Sequence, residues 1–156
     1  MNILLPTDSF PPNCGGSGWS TYELARGLRA RGHWVLVVQP RPAHVRVANR
    51  TYDGFEVEEV AAFAPPIPYV RNYFKNEQLW RLMENALSRR IKRESIDLVH
   101  AQHVLTTVPA VRAARRRRIP VVATIRDYWP VCYWSTIIID PSQDALCPAC
   151  TVGNMT

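Results

Sequence analysis

The chain has 156 residues, which fits one domain with a real core. A hydrophobic fraction of 47% with 21% charged residues excludes disorder as a description of the whole chain. Net charge is +6, from 19 Lys and Arg (nearly all Arg) against 13 Asp and Glu. That excess favours anionic partners, whether phosphates, nucleotides, nucleic acid or an acidic membrane surface, without choosing among them.

The apolar run after Met1 extends only from Ile3 to Leu5, with no basic segment before it and no cleavage-like site after it, so no secretory signal is read. No stretch approaches the length of a transmembrane helix. A cytoplasmic protein is expected, with contact to a membrane surface left open. In a reducing compartment the 4 cysteines are expected as thiols or metal ligands rather than disulfides.

Residues 2–6 read as a short buried strand that stops at Thr7-Asp8. Residues 9–18 read as a turn-rich loop holding Pro11-Pro12 and the run Cys14-Gly15-Gly16-Ser17-Gly18. A helix follows. Ser20 and Glu23 have capping-box spacing, and Thr21, Leu24, Ala25 and Leu28 share one stripe. Arg29 and Arg31 suit the last turn, and Gly32 suits the position after the C-cap.

A second strand is expected at 34–39, ended by Pro40 and Pro42, and a third at 54–63. Pro65, Pro66 and Pro68 make a stiff break. Leu79, Leu82, Met83, Ala86, Leu87 and Ile91 mark a long amphipathic helix. A fourth strand is expected at 97–101. Val104, Leu105, Val108, Val111 and Ala114 mark another helix, where Pro109 is tolerable only near the first turn. Residues 119–125 read as a fifth strand, and after Tyr128 no further element is readable.

Apolar strands alternating with helices predict an α/β, Rossmann-like fold: a mostly parallel sheet with helices on both faces. Ligands of such sheets bind beyond the carboxyl ends of the strands. That rule selects Thr7 and Asp8, then Gln39, then His100, Gln102 and His103, then Arg126 and Asp127.

The glycine run lies between a strand end and a helix start, where backbone N–H groups can face an anion. A phosphate or sugar pocket is the functional reading and a plain surface turn the alternative. A dinucleotide fingerprint counted from Gly16 would need glycine where Thr21 stands, and the second strand ends without an acidic residue. No Gly-Lys-Ser/Thr is present, which excludes a P-loop.

Three segments in order, "MNILLPTDSFPP…GGSGWSTYELARGLRARGHWVLVV", "DLVHAQH" and "IPVVATIRDYWPVC", resemble the N-terminal domain of group 1 (subfamily 4-like) glycosyltransferases. The resemblance implies one half of a GT-B fold, in which the N-terminal domain mainly holds the acceptor and the C-terminal domain most of the nucleotide-sugar. It implies retaining, metal-independent transfer from a nucleotide-sugar donor to an acceptor hydroxyl of a sugar or lipid-linked acceptor, in glycan, glycolipid or cell-envelope polysaccharide synthesis.

On that likeness Gly15 and Gly16 lie beside the donor phosphates and acceptor, with Ser17 and Gly18 adding backbone donors near the phosphates. His103, past the fourth strand where the cleft should lie, is read as touching the acceptor, and His100 as a partly buried strand-end histidine. The family's Thr-x-His-Asp motif falls on Thr124, Arg126 and Asp127. Arg126 stands where the histidine is usual. A guanidinium only donates hydrogen bonds and cannot act as a base, but its charge suits a phosphate leaving group. A surface salt bridge is its alternative role. Residues 1–156 are expected to be the acceptor-side domain without the C-terminal donor domain, and to be inactive alone. A non-catalytic nucleotide- or sugar-binding domain and a nucleotide-sugar epimerase of similar fold are the competing readings.

Arg115 to Arg118, with Arg112 and the basic run at 89–93, read as a solvated helix end suited to the dipole, or as a surface for anionic lipid on the inner face of the membrane. Nucleic acid is not expected, because no interleaved aromatics or docking motif accompany the charge. Cys132, Cys147 and Cys150 have partial zinc spacing, with Cys14 or a histidine as the fourth ligand, but free thiols or a disulfide are preferred and no cofactor is expected. Trp129, Tyr133 and Trp134 read as loop packing, with an acceptor floor as the alternative.

Overall fold

The computed structural model describes residues 1–42, 48–63, 67, 74, 78–128, 130, 138–140 and 145–146. Two compact units divide the chain, Met1–Thr124 and Ile125–Thr156.

The first unit is a six-stranded sheet in the order β3-β4-β2-β1-β5-β6. Its strands are β1 (Asn2–Pro6), β2 (Trp34–Pro42), β3 (Ala48–Tyr52), β4 (Phe55–Ala62), β5 (Leu98–Gln102) and β6 (Val121–Thr124). Every neighbouring pair is parallel except β3–β4. Three helices connect them: α1 (Gly16–Ala30), α2 (Leu79–Arg93) and α3 (Val104–Arg117). The expected α/β, Rossmann-like, mostly parallel architecture is the observed one.

Alternation along the strands sends successive side chains to opposite faces, and each face finds its own helices. Leu4, Leu36, Val38, Val60, Val99 and Ala101 pack with Met83, Leu87 and Ile91 of α2 and with Ala110, Ala113 and Ala114 of α3. Leu5, Val35, Val37 and Val57 face the other way and pack with Ala25 of α1, Phe10 and Phe55. Phe10 meets Tyr22, Tyr52 and Phe55 edge-on, with centroids 5.9, 6.3 and 6.1 Å away.

Three differences from the sequence reading have physical causes. Strand β2 runs through Pro40 to Pro42 instead of ending at Gln39. Strand β1 pairs with it only as far as Val38, so the prolines fall where β2 has β4 alone as a partner and proline's missing N–H goes unneeded. The expected third strand is the second arm of a hairpin, turned at Asp53-Gly54 with φ of 46° and 74°. Positive φ at both central residues is the turn that matches strand twist. Pro109 stands in the second turn of α3 rather than the first.

The C-terminus of α1 follows expectation. Gly32 has φ +79°, its N–H reaches the Arg29 carbonyl (2.9 Å), and the His33 N–H reaches that of Leu28 (3.2 Å).

In the second unit, β7 (Ile138–Asp140) and β8 (Ala145–Leu146) form an antiparallel pair that the sequence reading missed. Cys132, Cys147 and Cys150 and the aromatics Trp129, Tyr133 and Trp134 lie outside the described residues. Among the described residues, no helix is long and apolar enough to cross a membrane.

Candidate functional site

The sheet order reverses at β1. From there the chain runs through α1 to β2 on one side, and it returns after α2 to β5 on the other. Such a switch point opens a crevice at the carboxyl ends of the two strands. Thr7 sits there. It bridges in parallel to Gln102, and its N–H donates to the Val38 carbonyl at 3.0 Å. Its hydroxyl donates to the Ser9 carbonyl at 2.9 Å and lies 3.5 Å from the Thr21 hydroxyl. The second turn of α1 and the end of β5 are therefore both fixed against one residue.

Helix α1 starts five residues earlier than the capping-box spacing predicts. Gly15 is the N-cap, with extended φ −82° and ψ −171°, and no side chain caps it. The amides of Gly18 and Trp19 both reach the Gly15 carbonyl, at 3.0 and 3.2 Å, which pulls the glycines into the first turn. Ser20 is consequently interior, and Glu23 pairs with Arg26 at 3.1 Å instead of reaching back. The glycine run is thus the helix N-terminus itself. The N–H groups of Gly16 and Ser17 fall where no intrahelical acceptor exists and where the dipole favours an anion.

The three glycines differ in cause. A Cβ at Gly18 would stand 2.5 Å from Cβ and Sγ of Cys14, so packing demands glycine there. A Cβ at Gly15 or Gly16 would meet nothing within 4 Å. Neither has a positive φ, so the fold itself has no need of glycine at those two positions.

Across the switch point, His103 is the N-cap of α3, with φ 84° and ψ 163°. That backbone region belongs almost wholly to glycine. Its Nδ1 approaches Oδ2 of Asp8 to 3.1 Å, and the same oxygen accepts from the Leu105 N–H at 3.3 Å. Asp8 thus joins β1 to the start of α3 as well as meeting the histidine. The His103 carbonyl accepts from the Thr107 hydroxyl at 2.6 Å and the Thr107 N–H at 3.1 Å. The strand-end rule had selected Asp8; its pairing with His103 was not readable, because nearly a hundred residues separate them in sequence.

The other selected residues divide. His100 Nε2 lies 2.9 Å from the Thr124 hydroxyl, and Gln102, fully buried, donates to that hydroxyl at 3.1 Å. These three tie β5 to β6. Gln39 is inside β2, not after it, and donates to Glu59 at 2.9 Å. Arg126 and Asp127 follow β6 after Ile125 but belong to the second unit, and both are partly buried. Burial pulls the Arg126 guanidinium below its ordinary pKa. The residues brought together within the first unit are therefore Asp8 with His103, and Gly15 through Gly18.

The profile of Glycosyltransferase Family 4 matches residues 14–145. The chain belongs to this family. The match begins at Cys14, beside the glycine turn, and takes in His103, Arg126 and Asp127. No curated protein matches the chain significantly. Among solved structures, the chain is similar to Acinetobacter baumannii MurG, with a TM-score of 0.56 and 14% identity over 84% of this chain and 36% of that one. It is also similar to the catalytic domain of starch synthase IV from Arabidopsis thaliana bound to ADP and acarbose, with a TM-score of 0.53 and 16% identity over 81% of this chain and 34% of that one.

The chain spans about a third of the length of these structures. At such identities the likeness is one of fold, and it agrees with half of a GT-B architecture. The polar groups gathered at the switch point are the leading amides of α1, whose dipole favours an anion, and the histidine–aspartate pair. Among the described residues no three His, Cys, Asp or Glu cluster in a way that would hold a metal.

Proposed function

We propose that residues 1–156 are the acceptor-side domain of a glycosyltransferase of the group 1, subfamily 4-like kind. It would take part in moving a sugar from a nucleotide-sugar donor to an acceptor hydroxyl. The observation that carries this reading is the first turn of α1 at the sheet's switch point: its leading amides have no intrahelical acceptor, and a Cβ at Gly15 or Gly16 would meet nothing within 4 Å. Family membership supplies the chemistry that such an anion site would serve.

In this reading the Gly15–Gly18 turn receives the donor phosphates. His103, with Nδ1 turned to Asp8, meets the acceptor hydroxyl through Nε2. Arg126 and Asp127 act at the reacting sugar, Arg126 by stabilising negative charge on the leaving phosphate. Transfer is retaining and uses no metal. A further domain, outside these residues, grips the nucleotide-sugar, so the chain alone turns nothing over. The setting is cytoplasmic glycan, glycolipid or cell-envelope polysaccharide synthesis. The partly exposed groove formed by Asn85, Ser88 and Arg89 of α2 and Arg116 and Arg117 of α3 supplies charge for the inner membrane face.

The test is a titration of ¹⁵N-labelled chain with inorganic pyrophosphate. Saturable shifts at the amides of Gly15, Gly16 and Ser17 are expected. Binding that leaves those amides unmoved, or no binding at millimolar pyrophosphate, removes the reading's foundation. Hydrolysis or transfer of any nucleotide-sugar by residues 1–156 alone would contradict the expected inactivity.

A further inference from the structure

Arg50 lies on β3, at the outer edge of the sheet, yet it holds the segment that leads into α1. Its Nη1 donates to the Pro11 carbonyl at 2.6 Å and its Nη2 to the Phe10 carbonyl at 3.0 Å. Its Nε donates to Glu59 Oε1, on β4, at 3.0 Å. One planar guanidinium thus links both strands of the hairpin to two successive loop carbonyls. A lysine ammonium, a single point of charge, cannot reproduce that fork.

Glu59 is in turn fixed by Gln39 at 2.9 Å and Arg41 at 3.3 Å. The side chains of Arg50 and Glu59 are 26% and 13% exposed, so water competes weakly for these contacts. On the far side of the clamp, the Phe10 ring is set among Tyr22, Tyr52 and Phe55. Only Pro12 and Asn13 separate the clamped carbonyls from Cys14, which closes over Gly18.

We infer that Arg50 is a positioning residue for the first-turn amides of α1: by fixing the Phe10 and Pro11 carbonyls it sets where Gly15, Gly16 and Ser17 stand. The inference rests on the proposed anion site for its ligand, a pyrophosphate-like group, while its geometric content is independent of that ligand. A site held to within about half an ångström depends on such a supporting shell, and loosening the shell weakens binding without removing any ligand contact.

The experiment compares Arg50→Gln with Arg41→Gln in the full chain. Arg41→Gln removes a partner of the same Glu59 without touching the loop. Amide shifts are recorded first without ligand and then during titration with inorganic pyrophosphate. Arg50→Gln is expected to move the Cys14–Ser17 amides in the free protein and to weaken pyrophosphate binding about tenfold. Arg41→Gln is expected to do neither. Added guanidinium ion is expected to restore part of the loss in Arg50→Ala.

Equal behaviour of Arg50→Gln and Arg41→Gln in both readouts overturns the inference. If the unaltered chain binds no pyrophosphate while Arg50→Gln still displaces the Cys14–Ser17 amides, the anion reading fails and the positioning role stands. Should Arg50→Gln not fold, Arg50→Lys, which keeps the charge but not the fork, carries the same readouts.

Discussion

Two charged clusters in the first unit treat their polarity in opposite ways. Arg90 of α2 is enclosed by carboxylates: Glu58, Glu94 at 2.9 Å and Glu56 at 3.6 Å. Its side chain is 12% exposed and that of Glu58 7%. Asp8, at the switch point, has one oxygen engaged by the Leu105 amide and His103, while its buried Oδ1 has no hydrogen-bond partner among the described residues. A cluster that saturates itself holds the fold. One that leaves a buried acceptor unsaturated is suited to meet something else.

The comparison breaks first at Arg90. Arg90→Met leaves Glu58 buried without its partner and is expected to cost about 3 kcal/mol in urea denaturation, with the slope unchanged. Arg90→Met combined with Glu58→Leu is expected to recover most of that loss, since two apolar groups replace two paired charges. A loss under about 0.5 kcal/mol in the single variant would show that the cluster is not structural.

The glycines sharpen the comparison next. Gly18→Ala forces a methyl group into Cys14 and is expected to cost about 2 kcal/mol. Gly16→Ala meets open space and is expected to gain a few tenths of a kcal/mol, about 0.5, while weakening pyrophosphate binding. Equal melting temperatures for the two variants would erase the distinction between a glycine kept by packing and one kept for a ligand.

At His103 the backbone separates two variants that both lose the ring. His103→Gly suits φ 84° and is expected to be about 1 kcal/mol more stable than His103→Ala. Equal stability would mean that the strain is absent.

The smallest effect belongs to an exposed pair. The Tyr22 hydroxyl donates to Asp53 at 2.8 Å, and that bond, opposed by desolvation and helped by Arg29, holds the Asp53 carboxyl below its ordinary pKa. A depressed carboxylate stabilises the folded state above its unfolded pKa, and the contribution is lost as pH falls through the folded one. Tyr22→Phe is expected to move the carboxyl's NMR titration midpoint upward. An unchanged midpoint would remove the hydrogen bond as the cause.

Much of this was readable without coordinates where the signal is local. The α1 stripe, Gly32 and the apolar strands report on neighbours within a few residues, and the elements they mark are present, with several boundaries shifted. The α1 start was misread because Ser20 and Glu23 match a cap by spacing alone, while the Gly15 carbonyl captures the Gly18 and Trp19 amides first. The β3–β4 hairpin was missed although Asp53-Gly54 spelled its turn, because Ala48 to Tyr52 carries no apolar alternation at the sheet edge. Strand-end logic reached Asp8 and His103 singly. Their contact depends on the pairing of β1 with β5, which no local pattern encodes.

The hairpin also changes how α1 can come apart. Arg50 ties β3 to the segment ahead of the helix, while Tyr22 and Arg29 of the helix itself bond to Asp53 at the hairpin's turn, Arg29 reaching its carbonyl at 2.6 Å and its carboxylate at 3.1 Å. Fraying α1 from either end therefore pulls on the same two strands. The helix and the hairpin should surrender their amide protons to exchange together, as one cooperative unit, rather than peel from the sheet in sequence order.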